Sequence, residues 1–155
     1  MRSLESLDPG ALDEIVFACA RTKLAVVAAD ERDVGRRAVL NLGHTVGHAI
    51  ESASGYRPYR HGEAVGLGLL ATLRLSGALA LREEVAEILA RHGLPTTLDD
   101  SVDAEAVLEA IGRDKKRTSE GVAFVLLERP GAPVTGRLVE PDRVRDAVKE
   151  LYGKR

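Results

Sequence analysis

The chain has 155 residues, enough for one domain with a hydrophobic core of its own. Lys plus Arg total 22 against 24 Asp plus Glu, a formal net charge of −2, which excludes a strongly basic nucleic-acid binder and an acidic disordered tail. Aromatic residues are 3% with no Trp, which argues against base-stacking platforms, and the single cysteine, Cys19, excludes an internal disulfide and points to a reducing compartment.

Met1 to Gly10 is polar and has no apolar stretch of signal-peptide type. The best apolar run, Ala64 to Leu73, is cut by Arg74 before it reaches membrane-spanning length. The expectation is a cytoplasmic protein with no membrane or nucleic-acid partner.

In chain order, Asp8-Pro9-Gly10 reads as a helix start. Leu12, Ile15, Val16, Cys19, Val26 and Val27 then recur at helical spacing. Asp30 to Gly35 is a charged break. A second helix is predicted from about Arg36 to Ser54, closed by Gly55. Pro58 makes Tyr56 to Arg60 a loop. A third, central helix is predicted from about Gly62 to Ala80, with Gly62 and Gly66 as points where another backbone can approach. A fourth covers Arg82 to Arg91, stopped by Gly93 and Pro95, and a fifth runs from Asp103, as N-cap, to Arg113. Val122 to Leu127 and Val134 to Val139 read as strands around a Pro130-Gly131 turn, and Pro141 opens a last helix to about Leu151. The reading is a single, mainly helical domain over residues 1–155 with one small β-ribbon near its C-terminal end. There is no Gly-rich nucleotide loop between a strand and a helix.

The chemistry is concentrated in Arg37-Ala-Val-Leu-Asn41-Leu-Gly-His44-Thr-Val-Gly-His48-Ala-Ile-Glu51. Helical residues turn by about 100° each, so in one continuous helix Arg37, Asn41, His44, His48 and Glu51 fall within roughly 80° of one another. Val39, Leu42, Val46, Ile50 and Ala53 take the other side. A solvated helix face is ordinarily Lys, Glu and Arg; a cation, an amide, two imidazoles and a carboxylate are a different set. Histidines at i and i+4 can ligate one metal from a single turn, the alternative being hydrogen-bonded or solvent-facing rings. His61, at the start of the third helix, is positioned to fold back beside them. Lys23 falls inside the apolar stripe of the first helix, where it either snorkels or points into an anionic site. Asp114-Lys115-Lys116 is a charge run of the kind that is usually solvated, Cys19 reads as a small buried hydrophobe, and His92 as a helix-capping residue.

Together these residues resemble the 3-dehydroquinate synthase family. The resemblance rests on the Arg37 to Glu51 segment and on His61-Gly-Glu63-Ala-Val. It is supported by Lys23 before Val26-Val27-Ala28-Ala29-Asp30-Glu31-Arg32, by Gly93-Leu94-Pro95, and by Asp114-Lys115-Lys116 before a Val-Leu-Leu strand. These matches keep the family's order over nearly the whole chain. The resemblance implies a helical, metal-binding C-terminal domain facing an NAD-binding α/β domain. The implied substrate is the sugar phosphate 3-deoxy-D-arabino-heptulosonate 7-phosphate, converted to 3-dehydroquinate with loss of phosphate, in the shikimate pathway. The implied cofactors are NAD and a divalent cation, Zn or Co.

Residue by residue, the resemblance makes His44 and His61 the metal ligands, where local spacing alone pairs His44 with His48. It leaves His48 for proton transfer, with Asp33 linked to that relay. Asp33 stands where the family commonly has glutamate, one methylene longer. Lys23, Arg37, Asn41 and one of Lys115 and Lys116 hold the substrate's carboxylate and phosphate, a task that suits several cationic donors. Glu51 and Glu63 are candidate carboxylates for orienting imidazoles or closing a helix start. The family's third ligand, a glutamate, and its NAD domain have no counterpart in this chain, so activity is expected only with an NAD domain supplied in cis or in trans, in a homodimer. Competing expectations are another sugar-phosphate cyclase, a non-catalytic metal-binding or assembly remnant, and a purely helical dimerisation domain. The face with Lys23, His44 and His48 is expected to be unusually exposed or self-associated.

Overall fold

The computed structural model describes residues 9–30, 35–114 and 121–153. Helix α1, Pro9–Ala29, has Pro in its first turn, where a missing N–H is tolerated, and an Ala-rich body. Its end is tied to the next element by Asp30, whose Oδ2 accepts the N–H groups of Gly35 and Arg37 at 3.0 and 2.9 Å. A 3₁₀ helix, Arg36–Asn41, follows, and then α2, His44–Ala53. α3 spans His61–Leu75, α4 Leu79–Arg91 and α5 Ala104–Asp114. Strands β1, Val122–Arg129, and β2, Ala132–Val139, pair antiparallel with Val122 opposite Val139 and Leu126 opposite Val134. α6, Pro141–Lys149, runs into a short 3₁₀ turn, Glu150–Tyr152.

The mainly helical architecture with one β-ribbon is the one the patterning predicts. The Asp103 cap is in place, its Oδ1 accepting the Glu105 N–H at 3.1 Å. His92 is the C-cap of α4. A lone two-stranded ribbon is marginal in water; here Phe124, Val122 and Val139 join the helical core, and the Leu127 N–H donates to Ser76 Oγ at 3.0 Å. That core also contains Val46, Ile50, Leu67, Leu70, Val107, Ile111, Val148 and Leu151, drawn from α2, α3, α5 and the C-terminal segment. Tyr152 ties this segment down by donating to the Val102 carbonyl at 2.7 Å.

Several boundaries differ from expectation. The predicted helix Arg36 to Ser54 is two elements, broken at Gly43, which takes φ +80°. The predicted helix Gly62 to Ala80 ends at Leu75, because Gly77 adopts φ +72° and turns the chain into α4 three residues earlier than expected. The helix glycines that admit a neighbouring backbone are Gly47 and Gly68, with Gly43 at the start of α2, and Gly121 does the same beside Val139 at the ribbon. Gly62 has nothing near it, and Gly66 meets only the Leu89 side chain. Cys19 is exposed rather than buried: α1 packs on the 3₁₀ helix, and Ile15, Val16, Phe17 and Leu24 are each more than half exposed. No helix among the described residues is long and apolar enough to cross a membrane.

Candidate metal centre

α2 and α3 cross where three glycines remove the side chains between them. An added Cβ at Gly47 would lie 3.0 Å from Val65 Cα, and one at Gly43 would lie 3.0 Å from the Leu69 nitrogen. This contact brings the first residue of α3, His61, against the first turns of α2. The ring centroids of His44 and His48 are 5.4 Å apart, those of His44 and His61 also 5.4 Å, and those of His48 and His61 5.7 Å. One ring nitrogen from each lies within 4.8 Å of the others. Tetrahedral ligation at about 2.1 Å puts nitrogens ~3.4 Å apart, so small side-chain rotations close these rings on one ion. Three imidazoles suit Zn and Co, and the donor set therefore fits a divalent cation.

The three rings are not equivalent. His44 Nδ1 lies 3.2 Å from the Leu42 carbonyl oxygen, and His61 Nδ1 lies 3.2 and 3.3 Å from the two carboxylate oxygens of Glu51. Both partners are acceptors, so in each contact Nδ1 is the donor. His48 has no such anchor among the described residues. Glu51 is buried, although the helical wheel puts it with the polar residues. Glu63 plays a different part, accepting the Arg60 N–H at 2.8 Å to close the start of α3.

Lys23, Arg37, Asn41 and His44 line a cavity of about 420 Å³ beside the imidazoles. The break at Gly43 takes Arg37 and Asn41 off α2, yet the 3₁₀ helix returns them to the same side, and Asp30 fixes its first turn. Lys23 is exposed on α1 rather than sunk in an apolar stripe. A second cavity, of about 670 Å³, is lined by His48 together with Glu51, Tyr56 and Arg113. Arg113 carries no motif signal beyond its place before Asp114-Lys115-Lys116. Asp33, Lys115 and Lys116 lie outside the described residues, as does Asp8.

Residues 1–117 match the family described as 3-dehydroquinate synthase C-terminal. The chain belongs to that family. It is 44% identical over 128 residues to a 3-dehydroquinate synthase of Synechococcus sp., covering 78% of this chain and 34% of that protein. It is 40% identical over 152 residues to the 3-dehydroquinate synthase of Symbiobacterium thermophilum, covering 93% of this chain and 42% of that protein. The chain thus spans less than half the length of these relatives. Among solved structures, a 2-deoxy-scyllo-inosose synthase complexed with carbaglucose-6-phosphate, NAD+ and Co2+ shares the fold, with TM-score 0.79 and 21% identity over 93% of this chain and 43% of that one. The helical domain with its β-ribbon is thus a fold shared with that inosose synthase, and the family match covers its helical part up to residue 117.

Proposed function

We propose that this chain supplies the metal- and substrate-holding half of a 3-dehydroquinate synthase, a lyase that converts 3-deoxy-D-arabino-heptulosonate 7-phosphate to 3-dehydroquinate and phosphate. It acts with an NAD-binding domain supplied in cis or in trans. The observation that carries this reading is the division among the histidines: His44 and His61 have Nδ1 held by oxygen acceptors, and among the described residues neither their Nε2 atoms nor the His48 ring beside them has such an anchor. In this reading His44 and His61 hold the divalent cation, zinc or cobalt. The related cyclase structure, solved with Co2+ and NAD+, supports that choice.

When bound, the cation supplies Lewis acidity toward the substrate's hydroxyls and a fixed point for orienting them. The chain's own side chains do the rest. Arg37 offers a planar pair of donors for a carboxylate or phosphate, Lys23 adds a compact charge, and Asn41 offers both a donor and an acceptor, all into the cavity that His44 borders. One of Lys115 and Lys116 completes the anion-holding set. His48, with neither ring nitrogen hydrogen-bonded among the described residues, accepts and returns a proton at the substrate, assisted by Asp33.

Identity favours this substrate over that of another cyclase: 40% and 44% to the dehydroquinate synthases, against 21% to the inosose synthase. The test is phosphate release from the heptulosonate phosphate with NAD and Co²⁺, using the chain alone and mixed with the N-terminal segment of the Symbiobacterium relative. Release that requires the added segment and disappears in His44→Ala is expected. Metal binding without release in either mixture would replace the enzyme reading with a metal-binding assembly module.

A further inference from the structure

Glu51 is one of the few buried polar side chains among the described residues, on a helix whose neighbouring Ile50 is fully buried. A carboxylate in such a place is costly unless strong hydrogen bonds compensate it. Its side-chain partner is His61, ten residues away on the next helix, with both carboxylate oxygens at nearly the same distance from Nδ1. The carboxylate is the more buried member, and the imidazole projects outward with its side chain 58% exposed.

We propose that Glu51 is a positioning residue for His61. Its carboxylate fixes the ring in the Nδ1–H form and aims the Nε2 lone pair at the metal, an inference that rests on the metal-centre reading above. A bare imidazole rotates about two side-chain bonds and can protonate either nitrogen. An acceptor-only group at Nδ1 removes both freedoms and raises the basicity of the other nitrogen. His44 has a backbone carbonyl for the same purpose. His61, as the first residue of α3, has no preceding helical turn to hold its ring, and a side chain from α2 takes that role. A bridge to a fully protonated imidazolium would instead occupy Nε2 with a proton and leave no lone pair, so the tautomer of His61 separates the two roles.

The experiment is ¹⁵N-detected NMR of the histidine rings in the metal-free full chain at about pH 8, where an unperturbed imidazole is neutral, together with Co²⁺ titration. The variants are Glu51→Ala and Glu51→Gln, the second keeping the shape of the side chain while removing its charge. In the parent chain His61 is expected as Nδ1–H. In Glu51→Ala it shifts toward Nε2–H, and Co²⁺ affinity falls on the order of ten- to a hundred-fold, with Glu51→Gln between the two. A His61 that stays Nδ1–H in folded Glu51→Ala, or in Glu51→Gln should the alanine variant fail to fold, overturns the proposal. So does a Co²⁺ affinity unchanged in both variants. A parent chain that binds no Co²⁺ overturns the metal centre itself, and the tautomer then still reports separately whether Glu51 sets the ring.

Discussion

Gly68 packs so closely on Gly43 that a Cβ at residue 68 would lie 2.1 Å from the Gly43 carbonyl oxygen. The same Cβ would lie 2.6 Å from the Gly47 nitrogen, so both obstacles are backbone and neither can swing aside. Gly68→Ala must therefore push α2 and α3 apart, and the expected loss is about 3 kcal/mol or more in urea unfolding. Because the same crossing sets His61 against His44, Co²⁺ affinity should fall with it. Gly62→Ala is the control: it sits in the same helix with nothing within 4 Å. It should be neutral or stabilising by up to ~1 kcal/mol, since alanine is the better helix former.

Removing the three imidazoles one at a time separates their roles. His44→Ala and His61→Ala should each abolish Co²⁺ binding at concentrations that saturate the parent chain. His48→Ala should keep affinity within about tenfold, because His48 lacks the Nδ1 anchor the other two share, while any complemented turnover disappears. Equal loss of binding in all three variants would instead make His48 the third ligand supplied by this chain. Isothermal titration with Co²⁺ gives the answer without reference to activity.

Much of this centre could be read from residue spacing, and the parts that could not share a cause. Helix existence followed from apolar periodicity, and the β-ribbon from Pro130-Gly131 between two β-rich runs. The break at Gly43 was hidden because the amphipathic period continues through it; only the approach of α3 demands a glycine at φ +80° there. Glu51 lies on the polar side of the wheel, yet it is buried, because a wheel records the angle of a side chain and not what folds over it. The stripe on α1 is real, but periodicity does not say that this chain covers it, and Ile15, Val16, Phe17 and Cys19 are open to solvent. The proximity of His61 came from the family resemblance and from its place at a helix start. The division of labour between Glu51 and Glu63 needed coordinates.

Arg37 is fixed through its backbone, its N–H donating to Asp30, and the residue lines the cavity shared with Lys23 and Asn41. Arg37→Ala and Asn41→Ala should thus change stability by no more than about 0.5 kcal/mol, yet weaken binding of the heptulosonate phosphate by tenfold or more. Asp30→Ala should behave oppositely in part. It frees two N–H groups and costs roughly 1–2 kcal/mol, with a smaller and indirect effect on ligand. Urea unfolding and equilibrium binding on the same three variants check the pattern. A core-like loss of stability at Arg37 or Asn41 would count against an open anion-holding face.

Alkaline pH should loosen the C-terminal anchor through Tyr152. Burial, and then the nearby Asp103, Tyr59 and Asp100, push its phenol up to about 12 from an ordinary value of 10.0. Tyr59, which accepts the Asp99 N–H at 2.7 Å, is raised as well, chiefly by burial. The folded state thus keeps a proton that the unfolded chain releases, and stability from Tyr152 is fully present below pH ~10 and lost as pH rises through about 12. Two units correspond to at most ~2.7 kcal/mol, and with much of the ring still reached by solvent roughly 1 kcal/mol is expected. Tyr152→Phe removes the hydrogen bond to Val102, costing about 1 kcal/mol at neutral pH. It also removes this titration. The stability gap between the parent chain and Tyr152→Phe, followed by urea unfolding from about pH 8 to 11.5, should narrow as pH rises. A gap that stays constant would mean that Tyr152 ionises in the folded protein as easily as in the unfolded one.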